Sequence, residues 1–181
     1  MIEIVMVIFL TLTILFVVYD ILLFSQRVKN NSDNRLELIQ NGRIILDRLS
    51  RELRQTPSLV TELPATKNEV GFPPVSQIEF QDGHDTAQIQ YIKYFVDNFL
   101  LKRQLIGYYF PDEPENYVYA GTQDEFGNPP EEDILDERTI AEYLSNLEIY
   151  GNKVVYLEIY LNKNQVEEHY YTGVWGRNTR E

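Results

Sequence analysis

Three sets of side chains in this sequence could do chemistry. The first is one residue, Glu3, at the head of the run IVMVIFLTLTILFVVYDILLF, Ile4 to Phe24. A carboxylate at the edge of hydrocarbon is costly unless it finds a partner, so Glu3 is a candidate for pairing with a cation. The alternative is a headgroup-level residue that water reaches. The second set lies between Tyr108 and Glu137, which hold ten carboxylates and no Lys or Arg. Calcium takes carboxylate and carbonyl oxygens, so Asp124, Glu125 and Asp133 are candidate ligands for it. Asp124-Glu125-Phe126-Gly127-Asn128 lacks the spacing of an EF-hand loop, and a solvated charged loop is the competing reading. The third is His84 in QDGHD, between Asp82 and Asp85. It suggests a metal or acid–base site, although a polar turn between strands explains it better. His169 reads as an ordinary sheet residue.

The elements that must position these groups follow from periodicity. Between Ile4 and Tyr19 the only polar side chains before the tyrosine are Thr11 and Thr13, and Asp20 precedes a short apolar patch, Ile21 to Phe24. As a helix these 21 residues reach about 30 Å, the thickness of a bilayer's hydrocarbon core. A secretory signal would have a shorter apolar region, a basic start and a small-residue cleavage site, so the stretch reads as a retained membrane anchor, residues 1–24. Asp20 can sit at the far interface beside Tyr19.

The polar run Ser25 to Asn34 reads as a solvated helical turn or a hinge, with Asn31, Ser32, Asp33 and Asn34 as N-cap candidates. Leu36 to Gln55 is an amphipathic helix with Leu38, Gly42, Ile45, Leu49 and Leu53 in one stripe, ended by Pro57. Residues 25–56 thus form a stalk, and residues 57–181 a sheet domain. Period-two alternation predicts strands at Ser76–Gln81, Thr86–Phe95, Phe99–Gly107, Leu144–Tyr150, Lys153–Leu161 and Gln165–Trp175. Turns are expected at Asp82-Gly83, Val96-Asp97-Asn98, Gly151-Asn152 and Asn162-Lys163-Asn164. Residues 108–137, broken by four prolines, read as a long acidic surface loop with a short helix from Glu131 onward. The fold class is therefore α+β, a transmembrane and stalk helix followed by an antiparallel β-sheet domain.

Net charge is −12 over 181 residues, and residues 1 to 30 sum to zero, so the sheet domain and stalk carry all of it. Such a surface repels phosphate backbones and anionic headgroups, which excludes nucleic acid as a partner and leaves the apolar segment to hold the lipid. With no cysteine there is no disulfide, zinc–thiolate site or thiol nucleophile. There is no phosphate-binding glycine loop and no HExxH, so an enzyme is not expected, and neither is a cofactor beyond the calcium considered above.

An anchor at the start, a stalk helix and an antiparallel sheet resemble the layout of type IV pilin-like proteins. MIEIVMVIFLTLTIL looks like the start of a mature pilin, an apolar run with one early Glu. Matching Ile2-Glu3 to that pattern places Met1 at the third mature position, with two residues and a basic leader expected ahead of it. QNGRIILDRLSRELRQT (Gln40–Thr56) is similar to the stalk of J/W-type minor pilins and pseudopilins. IQYIKYFVDNFLLKRQ (Ile89–Gln104) resembles their hairpin, and VYLEIYLNKNQVEEHYYTGVWGRN (Val155–Asn178) their last two strands, closing on Arg177-Asn178. The acidic stretch is not part of the resemblance. The anchor also lacks the Gly, Ala and Pro common in pilin cores, which favours a low-copy over a bulk subunit. Arg27, Lys29 and Arg35 follow the anchor and by the positive-inside tendency point the domain inward, whereas a basic leader would restore the outward orientation.

The resemblance implies a minor pilin or pseudopilin subunit that helps start or cap a type IV pilus or a type II secretion pseudopilus. Its partners would be other pilin or pseudopilin subunits, the inner-membrane assembly platform and membrane lipid. It implies an extracytoplasmic sheet domain, a place in a surface filament or pseudopilus, and a Glu3 that neutralises a neighbour's N-terminal amine. The alternative is a single-pass anchored extracytoplasmic binding or adhesion module that does not polymerise.

Overall fold

The computed structural model describes residues 1–84 and 88–176. Asp85, the first residues of the strand expected from Thr86, and the Arg177-Asn178 ending lie outside them. One helix, α1, runs without a break from Ile2 to Gln55. Of the two readings of Ser25 to Asn34 the solvated helical one holds and the hinge does not: the stretch contains neither Gly nor Pro, so nothing interrupts the i→i−4 hydrogen bonds, and the candidate caps Asn31 to Asn34 become interior helix positions. The helix ends at Thr56, whose extended backbone (φ −61°, ψ 135°) is what a residue preceding proline requires.

Eight strands follow: β1 (Gln77–Gln81), β2 (Tyr91–Asp97), β3 (Leu100–Phe110), β4 (Glu113–Tyr117), β5 (Glu131–Ala141), β6 (Leu144–Tyr150), β7 (Val154–Lys163) and β8 (Val166–Trp175). They form two antiparallel sheets, β1 to β5 and β6-β7-β8. β3 is the axis of the larger sheet. β2 flanks one side of it from Leu100 to Ile106 and β4 continues that side at Tyr109 and Phe110, while β5 runs along the other side. A bridge between Val75 and Ile149, and a hydrogen bond from Leu144 N to Phe99 O (2.9 Å), join the two sheets.

Two hairpin turns lie one to two residues beyond the expected positions. Asn98-Phe99 and Asn164-Gln165 all have positive φ (50°, 64°, 51° and 69°), the two-residue turn whose twist matches that of the strands. The acidic stretch departs further from expectation. The segment from Glu131 is a strand, not a helix, and Tyr108–Phe110 and Glu113–Tyr117 are also strand, so the loop proper is 118–130. That loop is seated against the sheet. Val118 N donates to Tyr108 O (2.7 Å), Ala120 N to the Tyr91 hydroxyl (2.9 Å), and Val118 and Ala120 pack on Tyr91, Ile106 and Tyr108.

The main core is shared between α1 and both sheets. Leu38, Ile45, Leu49 and Leu53 meet Ile78, Phe80, Ile92, Tyr94 and Leu101 of the larger sheet and Leu147, Ile149, Leu157, Ile159 and Val174 of the smaller. Each such side chain contributes about 1.5–3 kcal/mol on burial. Gly42 sits in the same stripe because Tyr170 of β8 lies against it: a Cβ there would be 2.5 Å from the tyrosine ring. Gly42→Val should therefore push β8 away from α1 and cost about 2 kcal/mol or more, as a lower midpoint of urea unfolding. An unchanged midpoint would mean that Tyr170 can turn aside freely.

Candidate functional site

The first candidate site is the free half of α1. Every residue from Ile2 to Phe24 is exposed except the half-exposed Leu23, and the helix meets the sheet domain only from Asn34 onward. The Thr11 and Thr13 hydroxyls donate back to the carbonyls of Val7 and Phe9 (both 2.8 Å), so they add no unsatisfied polar group to the apolar surface. The segment is long and apolar enough to cross a bilayer, and with the sheet domain behind it is consistent with a single-pass membrane protein. Glu3 lies in the first turn, where the helix dipole favours a carboxylate. Among the described residues no side-chain hydrogen bond or ion pair of the Glu3 carboxylate is formed. Asp20 stands about 26 Å further along the helix, so the apolar span carries one carboxylate near each end.

At its other end α1 is pinned by a buried carboxylate that the sequence reading did not single out. Glu52 accepts hydrogen bonds from Tyr94 Oη (2.8 Å) and Arg103 Nε (3.1 Å to both oxygens), with Arg48 at 3.5 Å. Burial, reinforced by the Glu52 charge, pushes the Tyr94 phenol well above its ordinary value. For Arg103, burial alone would lower the pKa, but Glu52 outweighs it and the net shift is upward. The only signal in the sequence was position: Glu52 adjoins Leu53 on the buried stripe.

A second buried carboxylate, Glu158, lies on the outer face of the smaller sheet. It accepts from Lys67 Nζ (2.7 Å), Tyr150 Oη and Tyr160 Oη (both 2.8 Å), and His169 Nε2 is 3.3 Å away. Lys67 also pairs with Glu148 (2.7 Å). His169 thus belongs to a charge network and stacks on Tyr160 (4.4 Å between centroids). Burial alone would raise the Glu158 pKa, but its three donors overcome that and hold it down at about 2. The alternation Glu148-x-Tyr150 and Tyr156-x-Glu158-x-Tyr160 places these groups on one face, whereas nothing local marks Lys67 as their counter-ion.

The three calcium candidates are occupied in different ways. Asp124 caps its own turn, accepting from the amides of Phe126 (2.8 Å) and Asn128 (2.7 Å) and from the Asn128 side chain (2.8 Å), and these bonds lower its pKa. Glu125 is exposed in the same turn. Asp133 is on β5 and accepts from Tyr117 Oη (2.8 Å). His84 bonds to Asp82 (2.6 Å). Among the described residues no three His, Asp or Glu side chains are grouped so that they could hold a metal ion.

Phenols recur as carboxylate partners along the acidic stretch. Tyr108 Oη donates to buried Glu79 (2.7 Å) and lies 3.4 Å from Glu132, and Tyr109 Oη is 3.2 Å from Glu131. The Tyr109 and Tyr117 phenols are raised chiefly by their carboxylate hydrogen bonds, and Tyr108 chiefly by burial. Neutral donors of this kind stabilise the carboxylates without cancelling their charge.

No protein-family model, curated protein or solved structure matches this chain.

The Glu158 network implies a pH dependence with a definite sign. A carboxyl held below its unfolded value contributes stability above about pH 4.5, and that contribution disappears as the pH falls toward 2. The loss should reach about 3 kcal/mol at most. Melting temperatures between pH 5 and pH 2 should fall more steeply for the parent than for Glu158→Gln. Parallel curves would remove Glu158 as the source.

Proposed function

We propose that this chain is a minor pilin- or pseudopilin-like subunit that helps initiate or cap a type IV pilus or a type II secretion pseudopilus. The observation that carries the reading is the division of α1: an exposed apolar half with a carboxylate in its first turn, continuous with a half built into an antiparallel sheet domain. In this reading the free half sits in the bilayer beside the assembly platform, the sheet domain is extracytoplasmic, and the helix leaves lipid for a bundle of like helices. Those neighbours are other pilin-like subunits.

Glu3 gives that transfer its register. Inside hydrocarbon an isolated carboxylate is heavily penalised, and pairing with a neighbouring subunit's N-terminal amine removes the penalty for both charges. Coulomb attraction is several-fold stronger in so poor a dielectric than in water, so a subunit displaced by one helical turn loses the pair and is disfavoured. Several carboxylates of the acidic stretch have partners within the domain, among them Asp124 with the Asn128 side chain, Glu131 and Asp133 with phenols, and Glu137 with the Gln104 amide and Lys102.

Glu3→Ala should leave the sheet domain folded, since about 50 Å of helix separates the two. It should also abolish incorporation of the subunit into filaments recovered from cells that carry the assembly machinery. Near-ultraviolet circular dichroism reports the first outcome and immunoblotting of sheared filaments the second. Normal incorporation of the variant would overturn the role of Glu3. A parent protein that inserts in the membrane but never enters a filament would leave the anchored binding or adhesion module in its place.

A further inference from the structure

The sheet edges are treated unequally. The outer side of β1 is covered by 58–61: Leu59 bridges Phe80, Gln81 N donates to Ser58 O (3.0 Å) and Val60 N to Glu79 O (3.0 Å). The outer side of β6 is covered by Val75, which exchanges both backbone hydrogen bonds with Ile149 (3.0 and 2.9 Å). β8 packs against α1, and β5 touches α1 as well, with Glu142 N just past its end donating to Asn41 Oδ1 (3.0 Å). β5, eleven residues long, pairs only with β3, and among the described residues no strand or bridge covers its other side. An uncovered edge presents free N–H and C=O groups, a template for another strand.

The side chains of β5 select what can add there. Glu131, Glu132, Asp133, Asp136 and Glu137 stand along it against one base, Arg138, which pairs with Asp136 (2.7 Å). Lys102 reaches Glu137 (3.2 Å), while among the described residues Glu131, Glu132 and Asp133 have phenol partners and no cation. Two β5 edges brought together would set these carboxylates against each other, which disfavours pairing between copies of this chain. Ile134 (53% exposed) and Leu135 (39%) offer apolar contact midway along the strand. Leu135 is also an extra residue against β3, so the regular runs are Glu131–Ile134 and Asp136–Thr139.

We propose that β5 is a strand-addition site for a basic β-strand of a partner protein, in which main-chain hydrogen bonds supply affinity and the carboxylates reject acidic or identical edges. The proposal does not depend on the filament reading.

The test uses the full chain in a neutral detergent and a ten-residue peptide alternating Lys and Val. Two control peptides have Glu for Lys, or N-methylated amides at alternate positions with the lysines kept. The Lys–Val peptide should bind and slow amide hydrogen exchange across 131–139. The Glu peptide should not bind, and N-methylation should weaken binding about tenfold or more, because it removes backbone donors and leaves charge intact. Glu131→Lys/Glu132→Lys, at two exposed positions, should weaken the parent peptide by a similar factor. The proposal is overturned by equal binding of the N-methylated peptide, by protection that maps to another strand, or by no binding at about 1 mM peptide.

Discussion

The structure depends on one packing event, the burial of the stripe from Leu38 to Leu53 of α1 in a core shared with both sheets. The sheets are joined by a short chain connection, the Val75–Ile149 bridge and a hydrogen bond at Phe99. Their inner faces share a common core to which the helix supplies Leu38, Ile45, Leu49 and Leu53. The Glu52–Arg103–Tyr94 cluster then fixes rotation and register at the helix end. A buried ion pair contributes little net stability by itself, but losing one partner strands the other, so alternative placements of the helix are penalised. Near the start of the stripe Lys163, held by Glu37 and the Tyr143 hydroxyl (3.0 Å), plays a similar part at the surface.

Thirteen tyrosines in an acidic chain have a physical logic. A carboxylate paired with Lys or Arg loses its field, whereas one bonded to a phenol is held in place and keeps it. The buried Glu52 and Glu158 each have a cation as well as phenols, Glu131 and Asp133 face outward with phenol partners, and the buried Glu79 is held by the Tyr108 phenol. Cations serve some outward carboxylates too, as Lys102 does Glu137 and Arg138 does Asp136. The resulting surface keeps much of its negative charge, and that charge repels anionic headgroups. The polar stretch Ser25–Asn34 adds a stand-off of about 15 Å between the apolar span and the domain.

Periodicity made most of the fold readable. The stripe Leu38, Gly42, Ile45, Leu49, Leu53 is buried as its spacing requires, and five strands lie within a few residues of where alternation placed them, Leu144–Tyr150 to the residue, while the one expected over Thr86–Phe95 runs from Tyr91 to Asp97. What escaped was decided at long range. β4 and β5 are rich in Glu, Asp and Pro, which disfavour strands locally, and they form because β3 offers a ladder, with Tyr109 of β3 and Tyr117 of β4 bonding carboxylates of β5. Ser25–Asn34 was legible only as a choice between helix and hinge, and helix is what forms: Asn, Ser and Asp can cap a helix, but capping is only one option for such residues when the chain on both sides is helical. Of the candidate sites, Glu3 was visible as an anomaly of type, while Glu52 and Glu158 needed partners 51 and 91 residues away.

That continuous helix poses its own energetic question. From Ile2 to Asp33 α1 has no tertiary support, and Asn30-Asn31-Ser32-Asp33-Asn34 are all poor helix formers, each about 0.5–0.7 kcal/mol worse than Ala. An isolated polar helix of that composition would fray in water, because propagation barely offsets its entropy. Both neighbours make up the difference. On one side the packed half is a ready nucleus, so no new helix need be started. On the other, a helix in hydrocarbon cannot unwind without exposing backbone groups that nothing there can satisfy. With the apolar half in a bilayer, helix is imposed at both ends of the polar stretch, which then couples the orientation of the sheet domain to whatever holds that half.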